Sequence, residues 1–275
     1  MTGCERRLVL GGMVALAGCS RPEAGRAGAS PSGSGSADGP PADGLAARAG
    51  RLVARYPDHL AGVEGDTLLW ADGTRMPIGL GQPERPFETM LRSASIADQL
   101  RQTYLPGPLR HPPPTGHSPG RLRNTAFFLK MYGDCRRGEV APRLRSVAWM
   151  PRSGGQSVAL TTINQVAARL ERVIAALEDL PDRFKAWLVP SAGSSVCRAV
   201  ADTGLPSVHA FGAAIDIAAR YSDYWVWARS RGDLVHRNRI PPEIVACFEA
   251  EHFIWGGKWY HYDTMHFEYR PELFA

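Results

Sequence analysis

Two segments decide how this chain reads. One is Ser207-Val208-His209-Ala210-Phe211-Gly212-Ala213-Ala214-Ile215-Asp216-Ile217; the other is Trp259-Tyr260-His261-Tyr262-Asp263-Thr264-Met265-His266-Phe267-Glu268. A hydrolytic zinc site takes three protein ligands from neutral imidazole and carboxylate and keeps a fourth position for water. It also needs a base beside that water which is not itself a ligand. His209, Asp216 and His266 offer two imidazoles and one carboxylate, and Asp263, three residues before His266, is the candidate base. Gly212, Ala213 and Ala214 are small enough for backbones to approach closely. Ile215-Asp216-Ile217 alternates as a strand does, aiming Asp216 away from the core. His59, His111, His117, His236 and His252 stand alone in the sequence and read as surface or core residues. His-x6-Asp by itself recurs by chance, so spacing alone leaves the metal open.

Both segments resemble the zinc peptidases that include D-alanyl-D-alanine carboxypeptidases, D-Ala-D-Ala dipeptidases and L-alanyl-D-glutamate endopeptidases, whose pattern is S-x-H-x-x-G-x-A-x-D followed by (E/D)-x-x-H. Ser207, His209, Gly212, Ala214 and Asp216 fill the first part, and Asp263 and His266 the second. The resemblance runs from about Cys135 to Leu273. It implies a Hedgehog/DD-peptidase-like domain, Zn2+ on His209, Asp216 and His266, and Asp263 as the catalytic base. Asp in place of Glu at 263 is closer to the endopeptidase branch. Arg198 stands where relatives carry an arginine. It is expected to stabilise an oxyanion or clamp a substrate carboxylate, against the plainer reading of a structural arginine. Ser207 either bonds substrate or caps a turn. His261 and Glu268 are expected to orient the ligands from behind, His261 being also the rival ligand. The implied substrates are peptidoglycan stem peptides, with terminal trimming and internal cleavage both open. The alternative is a non-catalytic, zinc-containing cell-wall-binding lipoprotein, against which an intact Asp263 argues.

Outward from these motifs the sequence predicts an α+β fold, a small antiparallel sheet flanked by helices. Asp66–Trp70 and Thr74–Ile78 around Asp72-Gly73 read as a hairpin. Leu105–Gly120 reads as a Pro-rich surface loop, and Val147–Trp149 as a short strand. Val166, Leu170, Val173, Ile174 and Leu177 mark a helix within 162–180, closed by Pro181. A second helix is expected from Pro241 to about His252, and β-prone chain over Trp255–Tyr269, broken at Gly256-Gly257. Twelve of the 24 aromatic residues lie between Tyr221 and Tyr269, which favours some of them walling a cleft. The expected layout is a zinc peptidase domain over 135–275 and a hairpin-and-loop region, packed on it, over 45–134. That N-terminal region carries no motif.

The N-terminus reads as an export segment. Arg6-Arg7 precede an apolar run, Leu8–Ala17, too short to span a bilayer, and Leu16-Ala17-Gly18-Cys19 resembles a bacterial lipobox. Residues 1–18 are the expected lipoprotein signal peptide, and 19–44 the lipidated Cys19 with a disordered tether. Of the residues from Ser20 to Gly44, 20 of 25 are Gly, Pro, Ser or Ala. As a coil this tether spans roughly 25–30 Å. The expected location is the periplasmic side of an inner or outer membrane, held there by the lipid. In an oxidising compartment Cys135 and Cys197, both in loop-like contexts, are the expected disulfide, and Cys247 a core residue. The net charge of +5 is spread out rather than clustered, and nucleic-acid binding has no motif behind it. A mean hydropathy of −0.22 excludes a polytopic membrane protein. The chain is expected to act as a monomer.

Overall fold

The computed structural model describes residues 44–200, 203–229 and 235–274, all within one compact unit. The expected signal peptide, Cys19 and nearly all of the tether lie outside the described residues. No described helix is long and apolar enough to cross a membrane.

Helices and small antiparallel sheets mix as in an α+β fold, but the described residues form three sheets rather than one. The first has the order β1-β2-β3, from β1 (Leu60–Glu64), β2 (Thr67–Trp70) and β3 (Arg75–Pro77). The β2–β3 hairpin turns at Asp72-Gly73, where Gly73 adopts φ +84° and Asp72 accepts from the Thr74 N–H. The second sheet pairs β4 (Leu144–Trp149) with β5 (Gln156–Thr161). The third, β6-β8-β7, joins β6 (Ala214–Asp216), β8 (His266–Tyr269) and β7 (Phe253–Trp255).

Residues 45–134 are more than a hairpin and loop. They hold four helices, α1 (Leu45–Arg55), α2 (Phe87–Ser93), α3 (Ile96–Leu100) and α4 (Thr125–Tyr132). Helices this short are not stable alone and form because tertiary contacts hold them. Ala49 and Leu52 put one face of α1 into the core, and Arg48 on the other side donates to the carbonyls of Leu100 and Arg101, closing the C-terminus of α3. Ser95 and Asp98 form a reciprocal capping box at the start of α3. Asn124 caps α4 through the Phe127 N–H. Leu52, Tyr56 and Phe127 share one apolar core with Leu170, Phe248 and Phe267.

The later helices are shorter than expected for local reasons. α5 (Val166–Glu178) starts after Asn164 and Gln165, whose φ of 53° and 60° interrupt the turn before it. α6 spans Trp225–Arg229. α7 (Pro242–Ala250) stops before His252, at φ 62°. The β-prone stretch is strand only at its ends. Between them, Tyr260, Asp263 and Thr264 give their N–H groups to His117, Gly256 and Asp223, so residues 259–265 are a loop tied to three other segments.

Cys135 and Cys197 are joined by a disulfide across 62 residues, with Cα atoms 5.7 Å apart. It fastens the end of the N-terminal region to the loop carrying Arg198. Cys247 is a free thiol, half-buried. By loop-closure entropy the disulfide contributes about 2–4 kcal/mol. Replacing both cysteines by serine should lower Tm by roughly 5–15 °C in calorimetry; an unchanged Tm would show that the link constrains nothing.

Candidate metal centre

His209, Asp216 and His266 converge because β6 and β8 pair in one register. Asp216 stands opposite His266, Ile215 opposite Phe267, and Ala214 opposite Glu268. The pleat sends alternate residues to opposite faces. Ile215 and Phe267 therefore enter the core, where Phe267 stacks on Phe248 at 3.8 Å. Asp216, His266 and Glu268 share the other face. Ala214, being small, leaves Glu268 room to reach along it.

His209 comes from a tight turn, Val208–Phe211, closed by Gly212 at φ +68°. A Cβ there would stand 2.5 Å from Leu144 Cδ2 and 3.0 Å from the Thr161 nitrogen. Gly212 is thus required by dihedral and by space, and its carbonyl accepts from Thr161.

The outer nitrogen of each imidazole is already engaged. His209 Nδ1 lies 2.6 Å from the Ser194 carbonyl, which can only accept, so Nδ1 carries the proton. His266 Nε2 faces Glu268 Oε2 at 3.0 Å and donates likewise. That leaves His209 Nε2, His266 Nδ1 and Asp216 Oδ1 pointing inward, separated by 3.1, 3.0 and 3.2 Å. With both imidazoles neutral, these are three acceptors with no donor among them, an arrangement stable only around positive charge. Ligand atoms about 2.0–2.1 Å from a tetrahedral zinc ion stand about 3.3–3.4 Å apart, so the donor set fits zinc with a shift of a few tenths of an ångström. Among the described residues this is the metal-competent cluster of His, Cys, Asp and Glu side chains.

The titration behaviour agrees. Burial works against the Asp216 carboxylate, yet the bonds from His209 and His266 hold its pKa well below the usual range. Burial pulls His266 down, but hydrogen bonds to Asp216 and Glu268 outweigh it and raise it to about 10. The centre is a strong sink for a cation, whether proton or metal ion. Glu268, opposed by burial but bonded to His266 and facing Arg123 and Arg270, falls to about 2. It stays ionised across the working range and keeps His266 aimed.

Asp263 occupies the same cleft without joining the three ligands. Its N–H bonds to Gly256, its carbonyl accepts from His266, and a Cβ at Gly256 would stand 2.5 Å from its oxygen. The Asp-x-x-His spacing is thus a turn that brings both side chains to one cleft. Asp263 Oδ1 is buried and has no hydrogen-bond partner among the described residues. Burial, with Asp216 adding to it against the pull of His266, raises this carboxyl to about 6. It is a half-buried base whose Oδ1 is unengaged among the described residues.

The other expected residues separate. Ser207 lines the cleft, and its side chain does not cap the turn. Arg198 is exposed and also lines it. His261 is not among the three converging donors; its ring packs on Trp225, with centroids 4.5 Å apart. Of the aromatic group, Tyr224, Trp227 and Trp259 line the cleft, whereas Phe248, Phe253 and Phe267 are core. Sequence reasoning missed Arg121 and Arg123, which reach the cleft from the N-terminal region. Gly120 lets them in: it has φ +98°, and a Cβ there would lie 2.3 Å from Ile254 Cδ1 and 3.2 Å from Glu268 Oε1. The signal available was the Gly120-Arg121-Leu122-Arg123 run before a helix cap, but nothing local ties it to residues so far along the chain.

His209→Ala, Asp216→Ala and His266→Ala should each lose stoichiometric zinc after dialysis, measured by elemental analysis. Glu268→Gln should keep zinc but bind it about 10- to 100-fold more weakly. Full zinc in any alanine variant would remove that residue from the ligand set.

No curated protein and no solved structure matches the chain. Residues 201–269 match a family described as D-alanyl-D-alanine carboxypeptidase. That match spans all three inward-facing donors, Asp263 and Glu268, and leaves out Arg121, Arg123, Arg198 and the whole N-terminal region. The stretch that supplies the three donors is thus similar to the D-alanyl-D-alanine carboxypeptidase family.

Proposed function

We propose that the chain is a zinc-dependent peptidase that trims peptidoglycan stem peptides at a terminal D-amino acid. What carries this reading is the coexistence, in one cleft, of three inward-facing acceptors and a half-buried carboxylate whose Oδ1 is enclosed and unengaged among the described residues. A structural metal site has no use for the second feature, and it weighs against the non-catalytic alternative.

His209, Asp216 and His266 would hold a divalent ion, which would supply the Lewis acidity that makes water nucleophilic near neutral pH and polarises a carbonyl. Asp263 accepts the proton of the attacking water and passes it to the leaving amine. Its pKa of about 6 belongs to the protein alone, and a neighbouring cation lowers it. The carboxylate form therefore dominates at neutral pH, and kcat/KM should fall on the acid side with an apparent pKa at or below about 6.

Charge in the cleft bears on the substrate. Arg121, Arg123 and Arg198 line the same cleft of about 260 Å³ as Asp216, Asp263 and Glu268, with Arg123 3.8 Å from Glu268. Arg270 already pairs with Glu268, and a divalent ion adds two further charges. The balance is positive, which favours an anionic group such as a terminal carboxylate, and guanidinium is suited to hold it bidentately. Exopeptidase action on a chain ending in a free acid fits this better than internal cleavage.

Residues 1–44 support a matching location: export, lipidation at Cys19, and a tether that lets the domain work close to the membrane. The wild-type chain should carry a lipid mass that Cys19→Ala lacks, and an unlipidated wild type would contradict the anchor.

The direct test uses a stem pentapeptide ending in D-Ala-D-Ala, as free acid and as C-terminal amide, with products identified by mass. The free acid should lose one D-Ala, the amide should react far more slowly, and a chelator should abolish the reaction until zinc is restored. Asp263→Asn should keep zinc and lose about 10²- to 10⁴-fold in rate. Cleavage unaffected by chelator, or no cleavage of either peptide, would contradict the proposal.

A further inference from the structure

Beyond the metal ligands, β8 and the turn after it carry a buried row of alternating charge. Glu268 Oε2 accepts from His266, and its Oε1 accepts from Arg270 at 2.9 Å. Arg270 Nε donates to Glu272 Oε1 at 2.6 Å. Glu272 in turn accepts from the Tyr56 hydroxyl at 2.7 Å and from Gln99 Nε2 at 3.3 Å. Glu268 and Arg270 are wholly buried and Glu272 nearly so. The row ends on α1 and α3: Tyr56 follows α1 directly, and Gln99 lies within α3. Burial and the Glu272 charge keep the Tyr56 phenol protonated, so it remains a donor to Glu272. Arg270 also gives Nη1 to the Gly120 carbonyl, tying in the loop that carries Arg121 and Arg123.

We propose that Glu272 is a positioning residue for the metal centre, and that Tyr56 and Gln99 make the N-terminal region part of its support. This rests on the metal reading given above. The reasoning is electrostatic. Arg270 lies between two carboxylates, and each draws part of its charge. When Glu272 is neutralised, Arg270 acts on Glu268 alone, and Glu268 becomes a poorer acceptor for the His266 Nε2–H. The imidazole is then less polarised, Nδ1 is less basic, and the metal is held less tightly. Buried in a medium of low polarity, such a row transmits charge that water would screen on the surface. Tyr56 acts one step further out: its hydroxyl holds the Glu272 carboxylate beside Arg270, so losing it loosens the Glu272–Arg270 pair, leaves Arg270 acting more on Glu268, and weakens the hold on His266 in the same direction.

The test is zinc affinity by competition with a chromophoric chelator, on the full chain stripped of metal, together with the visible spectrum of the cobalt-substituted protein. Glu272→Gln should weaken zinc binding about 10-fold and shift the cobalt bands, and Tyr56→Phe should weaken it about 2- to 3-fold. Leu52→Ala, a core truncation in α1, serves as the control; it should lower Tm and leave the affinity of the folded protein unchanged. Wild-type affinity in Tyr56→Phe and Glu272→Gln would overturn the proposal, and so would an equal loss of affinity in Leu52→Ala. Should Glu272→Gln fail to fold, the comparison of Tyr56→Phe with Leu52→Ala decides. A wild-type chain that binds no zinc would overturn the metal reading itself.

Discussion

The cross-strand pair of Asp216 and His266 is the constraint on which everything else in the molecule hangs. Antiparallel pairing sets the two Cα atoms within side-chain reach, and the period of two decides what accompanies them. A slip of one residue would turn Asp216 into the core and bring Ile215 to the cleft. The core prevents that slip, because Ile215 and Phe267 are fully buried on the opposite face and Phe267 lies flat against Phe248. The register that makes the donor set is therefore held by apolar packing behind it. His209 is added from a separate turn, whose position depends on Gly212 fitting against β5.

The second theme is charge placed in the interior and matched there. Removing an ion from water costs several kcal/mol unless partners replace the solvent. Here the partners alternate in sign from Asp216 through His266, Glu268 and Arg270 to Glu272. A similar economy appears in α3, where buried Asp98 is flanked by Arg85 at 2.5 Å and Arg101 at 2.9 Å and also closes the capping box. Such networks are demanding, because removing one member leaves its neighbours charged and buried. The N-terminal region pays into this account with Tyr56, Gln99 and the Gly120 carbonyl, and it adds Arg121 and Arg123 to the cleft. On the proposal above, it supports a centre whose three donors all lie elsewhere in the chain.

How much of this was legible beforehand follows from the range of the interactions. The donors were readable because the resemblance brought the two segments together; His-x6-Asp alone recurs by chance and would not have singled them out. The hairpin at Asp72-Gly73 and the apolar face of α5 are local, set by a turn that needs positive φ and by a 3–4 spacing. β1 and β5 were not readable, since each gains its identity from a partner strand rather than from a strong pattern of its own. The loop over 259–265 looked like strand by composition, yet its N–H groups find His117, Gly256 and Asp223, none of them visible locally. His261 was expected behind the ligands, or as the rival ligand, because it sits five residues before His266 in a rich stretch, but its ring packs on Trp225. Arg121, Arg123 and Glu272 matter through contacts across more than a hundred residues, which no local pattern carries.

X-ray absorption at the zinc edge of the metal-loaded chain tests the central claim most directly, since it reads the atoms around the ion without relying on turnover. The account predicts one bound zinc per chain with a low-coordinate shell of nitrogen and oxygen at about 2.0–2.1 Å and the outer scattering of two imidazole rings. A sulfur shell near 2.3 Å, a single imidazole, or an ion wholly surrounded by water oxygens would contradict it.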